Sequence, residues 1–166
     1  MIRPAAILLL TLGLTLTTGA RTPNDHTALI KRSVRHATPS ARNVLSTAHR
    51  MVRRGTIVRG SCWHYLDTAF TRAGFPAGRR TKVFHTSRKG PYAPARMLQP
   101  GDWLYYINHS YGGVEHSGLF IGWVDRARRQ GLILSYPGEH RRKPGRYRVY
   151  DLRHVYHITR PGVRDE

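Results

Sequence analysis

The chain is predicted to fold as one α+β domain, with N-terminal helices packed on an antiparallel β-meander. Three observations lead there. Apolar residues recur at helical spacing between Ser40 and Ala73. From Trp103 onward the period shortens to that of strands, with turn residues between the apolar runs. The 166 residues supply one core of ordinary domain size. Helices first and strands afterwards, with no internal repeat, is the order of an α+β fold.

The N-terminus reads as an export signal. Met1-Ile2-Arg3 is a short positive segment, Ala5 to Thr17 is apolar, and Thr18-Gly19-Ala20 offers small side chains to a signal peptidase. The apolar run is shorter than the roughly 20 residues of a membrane span. Residues 1–20 are therefore expected to be a cleaved signal peptide, and the mature protein to be secreted or periplasmic, with no stable membrane span. Residues 21–38 are polar and basic without a period and read as a flexible leader. The folded domain is expected over residues 39–162.

A first helix follows, capped by Ser40, with Val44, Leu45, Ala48, Met51 and Val52 on one face. Arg53-Arg54-Gly55 ends it. A second begins at Cys62 after Gly60-Ser61, carries Leu66, Ala69, Phe70 and Ala73, and stops at Gly74 and Pro76. Residues 77–99 read as a long basic loop. Pro100-Gly101-Asp102 is a turn that Asp102 caps, and strands are expected at Trp103–Ile107, His116–Val124, Gly131–Tyr136, Arg146–Tyr150 and Val155–Thr159. Trp103, Tyr105 and Ile107 alternate as inward-facing strand positions.

The charge is extreme: 28 Lys and Arg against 9 Asp and Glu, formally +19, or +18 once residues 1–20 are removed. Such a field draws the protein toward anions, whether nucleic acid, acidic headgroups or an anionic wall polymer, and names none of them.

Cysteine usage is more informative. An exported chain with a single Cys cannot form an internal disulfide, and an idle thiol there is exposed to oxidation. Cys62 stands at a helix start, where free N–H groups and the helix dipole favour thiolate over thiol and can hold an oxyanion. A full nucleophile also needs a base. Of the 10 His, His116 is the best mounted, opening an apolar strand in which Gly118 permits close approach. His64 is set on the helix so as to point away from Cys62. His109 lies in a loop that could line the cleft, as could Trp63 and Tyr136. His64, His109 and His116 lack metal-ligand spacing, and neither metal nor cofactor is expected.

Cys62 at a helix start, then Leu98-Gln99-Pro100-Gly101-Asp102-Trp103, then His116 heading Ser-Gly-Leu-Phe-Ile-Gly: in this order the chain resembles the NlpC/P60 cell-wall endopeptidases of the papain-like group, which includes the CHAP amidases. The resemblance runs from about Val44 to Pro161. It implies a papain-like fold and a cysteine peptidase or amidase acting on peptidoglycan stem peptides, with Cys62 as nucleophile and His116 as base. It also implies a monomer that needs no cofactor and meets peptidoglycan or another anionic wall polymer.

Two positions depart from the pattern. The usual Asp-Cys-Ser-Gly is Ser61-Cys62-Trp63-His64, and the His that would orient the base falls near Leu134-Ser135-Tyr136. Ser135 is the best positional match for that orienting role, with Tyr136, Glu139 or a backbone carbonyl as alternatives. The competing expectation is a basic module of the same fold without turnover, docking anionic glycan or nucleic acid through Arg79–Arg88 and Arg141–Arg146.

Overall fold

The computed structural model describes residues 26–162; the expected signal peptide, and residues 21–25 of the expected leader, lie outside them. Three helices, α1 (Thr27–His36), α2 (Pro39–Arg53) and α3 (Cys62–Arg72), pack on a six-stranded antiparallel sheet. The strands are β1 (Arg80–His85), β2 (Trp103–Asn108), β3 (Val114–Asp125), β4 (Gln130–Ser135), β5 (Arg146–Asp151) and β6 (Val155–Pro161). Their order across the sheet is β1-β6-β2-β3-β4-β5. The chain is α+β, as its period change predicts. Among the described residues no helix is long and apolar enough to cross a membrane.

Five expectations need correction. Residues 27–36 are helical, because Leu29, Ile30 and Val34 give α1 a narrow apolar stripe that packs on the core and on β3. Arg42 of α2 then donates to the carbonyls of Val34, Arg35 and Ala37 at 3.2 Å each, fastening the end of α1 with a cation where carbonyls lack partners. The cap of α2 is Thr38, whose Oγ1 accepts from Ala41 N–H at 3.3 Å, with Pro39 inside the first turn; Ser40 is already helical.

The basic stretch after α3 contains β1, an edge strand, where charged side chains are tolerated because one side stays wet. Its first residue, Arg80, pairs with Asp67 at 2.8 Å and lies over the Phe70 and Trp103 rings. The strands are also more than a meander. β2 to β5 run in sequence, but β6 returns to pair with β2, and β1 pairs outside β6.

Both faces of the sheet are covered, which changes the reading of β2. On the helix side Trp103, Leu119, Ile121, Leu132 and Leu134 meet Leu45, Leu66 and Phe70. On the other side Leu104, Tyr106, Phe120, Ile133 and Ile158 form a second core with Ala93 and Leu98. Leu104 and Tyr106 are fully buried, while Tyr105 and Ile107, expected inside with Trp103, are half-buried.

Asp102 caps its turn, its carboxylate accepting from Gln99 N–H at 2.8 Å. It also receives the Arg160 guanidinium at 2.7 and 2.9 Å, which ties the entry of β2 to the end of β6. Asp102 is 1% exposed, so losing its cation would strand a buried charge. Arg160→Ala is expected to lower folding stability by about 3 kcal/mol. Arg160→Lys, which keeps the charge without the fork, should cost less. Urea denaturation midpoints of the three proteins measure this.

Candidate active site

The site begins with the way β3 loses a neighbour. The ladder between β3 and β4 ends at Leu119–Leu134, and β4 stops at Ser135. His116 and Ser117 thus lie on a length of β3 paired with β2 on one side only. Their side chains alternate across the pleat. The N-terminus of α3 meets this open edge, and its first residue, Cys62, is reached from both faces of the strand. Ser117 Oγ donates to Cys62 Sγ at 3.4 Å, and the His116 side chain and the Ser117 backbone N–H are close enough to favour the ionised thiol.

The imidazole is held from three directions. His116 Nε2 is 2.8 Å from Ser135 Oγ, and the Tyr150 hydroxyl donates to the same oxygen at 3.1 Å. The rings of Tyr106 and Tyr150 flank the imidazole, with centroids at 5.7 and 5.9 Å. With Nε2 bound by Ser135, Nδ1 is the nitrogen left for the sulfur. Gly118 permits this packing, because a β-carbon there would run into Ile133 Cγ2.

Electrostatics at the thiol are opposed, and the donors win. Burial pushes the Cys62 pKa up; the bonds from His116 and Ser117, together with the charge of the imidazole, pull it down to about 7. An ordinary cysteine titrates near roughly 8.5. The thiol is thus held below the ordinary range, toward the ionised form. The capping box occupies the N–H groups of Ser61 and His64, and those of Cys62 and Trp63, which have no intrahelical acceptor, are the ones an oxyanion beside the sulfur would meet.

Gly60 and His64 shape the helix start. Gly60 adopts φ +103°, and His64 folds back so that its Nδ1 accepts from Ser61 N–H at 3.1 Å, the work of the acidic residue in a capping box. A β-carbon on Gly60 would fall 2.6 Å from that nitrogen. Gly60 O in turn accepts from Glu139 N–H at 2.9 Å, joining the helix entry to the opposite wall. Between them lies an open cleft of about 940 Å³ floored by Cys62, His116 and Ser135.

Cys62, His116 and Ser135 are therefore brought together. Tyr136 lines the cleft, but its hydroxyl is spent on the Val58 backbone, donating to O at 2.7 Å and accepting from N–H at 3.2 Å, and its ring stacks on Tyr65. Trp63 and His109, expected in the cleft, are not among its lining residues. Trp63 follows Cys62 round the helix by 100° and packs on Trp103, and His109 turns to the ring of His154 at 4.4 Å. Glu115 is bound to Arg88 and to the Tyr156 hydroxyl. Among the described residues no group of three or more His, Cys, Asp and Glu is placed to hold a metal.

Ser117, Tyr106 and Tyr150 were not legible as site residues. Ser117 reaches Cys62 across 55 positions and Tyr150 reaches Ser135 across 15, and a serine or tyrosine in a strand carries no signal of such a bond. The direction of the thiol shift is testable. The rate of Cys62 alkylation by iodoacetamide should rise with pH to a plateau, with its midpoint at about 7. Ser117→Ala should move that midpoint up, because a donor to the thiolate is lost.

Comparison of the chain with protein-family models, curated proteins and solved structures finds no match in any of the three.

Proposed function

We propose that the protein is a secreted or periplasmic papain-like cysteine hydrolase of the NlpC/P60 kind, cleaving amide bonds in peptidoglycan stem peptides or a related wall peptide. The observation that carries this reading is the cluster of Cys62, His116 and Ser135 at the mouth of α3, in an open cleft, with the imidazole bonded to Ser135 and favouring the ionised form of the thiol. The order of thiol helix before base-bearing strand supports the papain-like assignment, and the character of residues 1–20 supports export.

The chemistry follows from the atoms present. The Cys62 thiolate attacks the amide carbon, and its oxygen takes up the negative charge beside the N–H groups at the start of α3. The C–N bond then breaks as the imidazolium of His116 gives its proton to the departing amine. That leaves an acyl thioester on Cys62. Water, deprotonated by His116, attacks the thioester and releases a carboxylic acid and the thiol. Ser135 keeps Nε2 engaged throughout, so that Nδ1 faces the reacting atoms, and Tyr150 holds Ser135.

The docking module without turnover finds less support at its first proposed contact. Arg80 is committed to Asp67 and Arg88 to Glu115, which leaves Arg141–Arg146 as the stronger anion-binding stretch.

Release of new amines from purified peptidoglycan tests the reading. Cys62→Ser and His116→Ala should abolish it with the fold retained. Ser135→Ala should reduce it roughly tenfold, or about 1.4 kcal/mol, and Tyr150→Phe by less. Equal release by wild type and Cys62→Ser would refute the thiol mechanism. Release by none of them, with salt-sensitive binding to peptidoglycan retained by all, would establish the docking module instead. Export has its own measurement: the secreted protein should begin near Arg21 by mass spectrometry, and secreted material that still carries Met1 would contradict a cleaved signal.

A further inference from the structure

On the sheet face that carries His116 and Ser135, the next strand outward is β5. Ser135 pairs with Arg146 and Ile133 with Arg148, so Arg146, Arg148 and Tyr150 follow one another on one face of β5. Arg146 and Arg148 are exposed and line the same cleft as Cys62. Arg141 and Lys143, from the loop before β5, extend the wall. Among the described residues none of these four cations forms an ion pair, whereas Arg80, Arg88, Arg153 and Arg160 each have a carboxylate. Among the described residues Glu139 is the only carboxylate lining the cleft, and it lies against His140. The cleft is cationic on one wall and catalytic on the other.

We propose that the arginine face of β5 is an anion subsite for the departing half of the substrate, so that the enzyme selects amides whose amine portion carries a phosphate or carboxylate. The proposal rests on the reading of Cys62 as the nucleophile. The chemistry at Cys62 dictates where the two halves of the substrate must lie. The carbonyl oxygen belongs at the N-terminus of α3, beside Cys62. The leaving amine must lie over the imidazole that protonates it. Beyond the imidazole the surface continues through Ser135 to Arg146 and Arg148, and the departing portion is laid along them. Two arginines spaced by one residue on a strand stand roughly 6.6 Å apart, with planar forks suited to successive oxyanions.

Paired alkylating reagents read the subsite without an amide substrate. Iodoacetate carries a carboxylate and iodoacetamide does not. The ratio of their rates at Cys62, divided by the same ratio for free cysteine, is expected to be about 10 at low salt. In Arg146→Gln/Arg148→Gln it should fall near 1 while the iodoacetamide rate stays unchanged. Arg53→Gln/Arg54→Gln removes the same charge from a separate groove between α1 and α2, and should keep the wild-type ratio.

A wild-type ratio near 1, or an equal fall in both double variants, would overturn the proposal, the second by showing a field of the whole molecule. Slow iodoacetamide labelling would count against the nucleophile reading and not the subsite. Calorimetric titration with tripolyphosphate and with tricarballylate still reads the subsite in that event. Loss of binding in Arg146→Gln/Arg148→Gln alone supports it, and the anion that binds more tightly separates phosphate from carboxylate; binding that is absent, or unchanged in that variant, overturns it.

Discussion

The short unpaired edge of β3 at His116 and Ser117 is the constraint on which the site depends. Had β4 continued its ladder past Leu134, its backbone would occupy the space that the start of α3 fills. Because it stops, the thiol meets the strand edge-on and collects donors from both faces and from the backbone between them. The same ending leaves Ser135, the final residue of β4, beside the imidazole. Strand length, a property of register and turns, thus sets the geometry in which Cys62, His116 and Ser135 meet.

Holding a thiolate in a partly desolvated position needs support that does not move, and the fold supplies it in layers. The helix-side core of Leu45, Leu66, Phe70 and Trp103 fixes the axis of α3 against the sheet. The second core, with Tyr106 and Ile133, fixes the other face and flanks the imidazole. The Asp102–Arg160 pair sits at the opposite end of β2 from the site and joins the meander to the returning strand β6. Placed there, it locks sheet order without adding charge near the sulfur.

Much of this was legible in the sequence where side chains repeat with a period or where chemistry limits the choice. α3 from Cys62 and the strands from Trp103 to Pro161 follow from spacing; the Cys62–His116 pair follows from a lone thiol in a chain read as exported, and Ser135 is the match that the NlpC/P60 resemblance offers for the orienting position. What escaped was carried by few or by polar residues. α1 has only Leu29, Ile30 and Val34 to mark it, and β1 is an edge strand written in Arg, Thr, Lys and His. The contacts of Ser117 and Tyr150, and the place of Arg148 beside Arg146 on the cleft wall, come from register between strands distant in sequence. Register is a relation between segments, and no local pattern records it.

β5 also ends the sheet, and a terminal strand offers its free N–H and C=O groups to any passing strand. Two copies that paired through this edge in antiparallel fashion would set a row containing Arg146 and Arg148 against a second such row, with like charges facing across a few ångströms. Repulsion of that kind opposes edge-to-edge assembly at the one margin of the sheet that borders the cleft. Anions bound along the arginines would screen that repulsion. The strand therefore discourages its own kind and stays open to molecules of opposite charge.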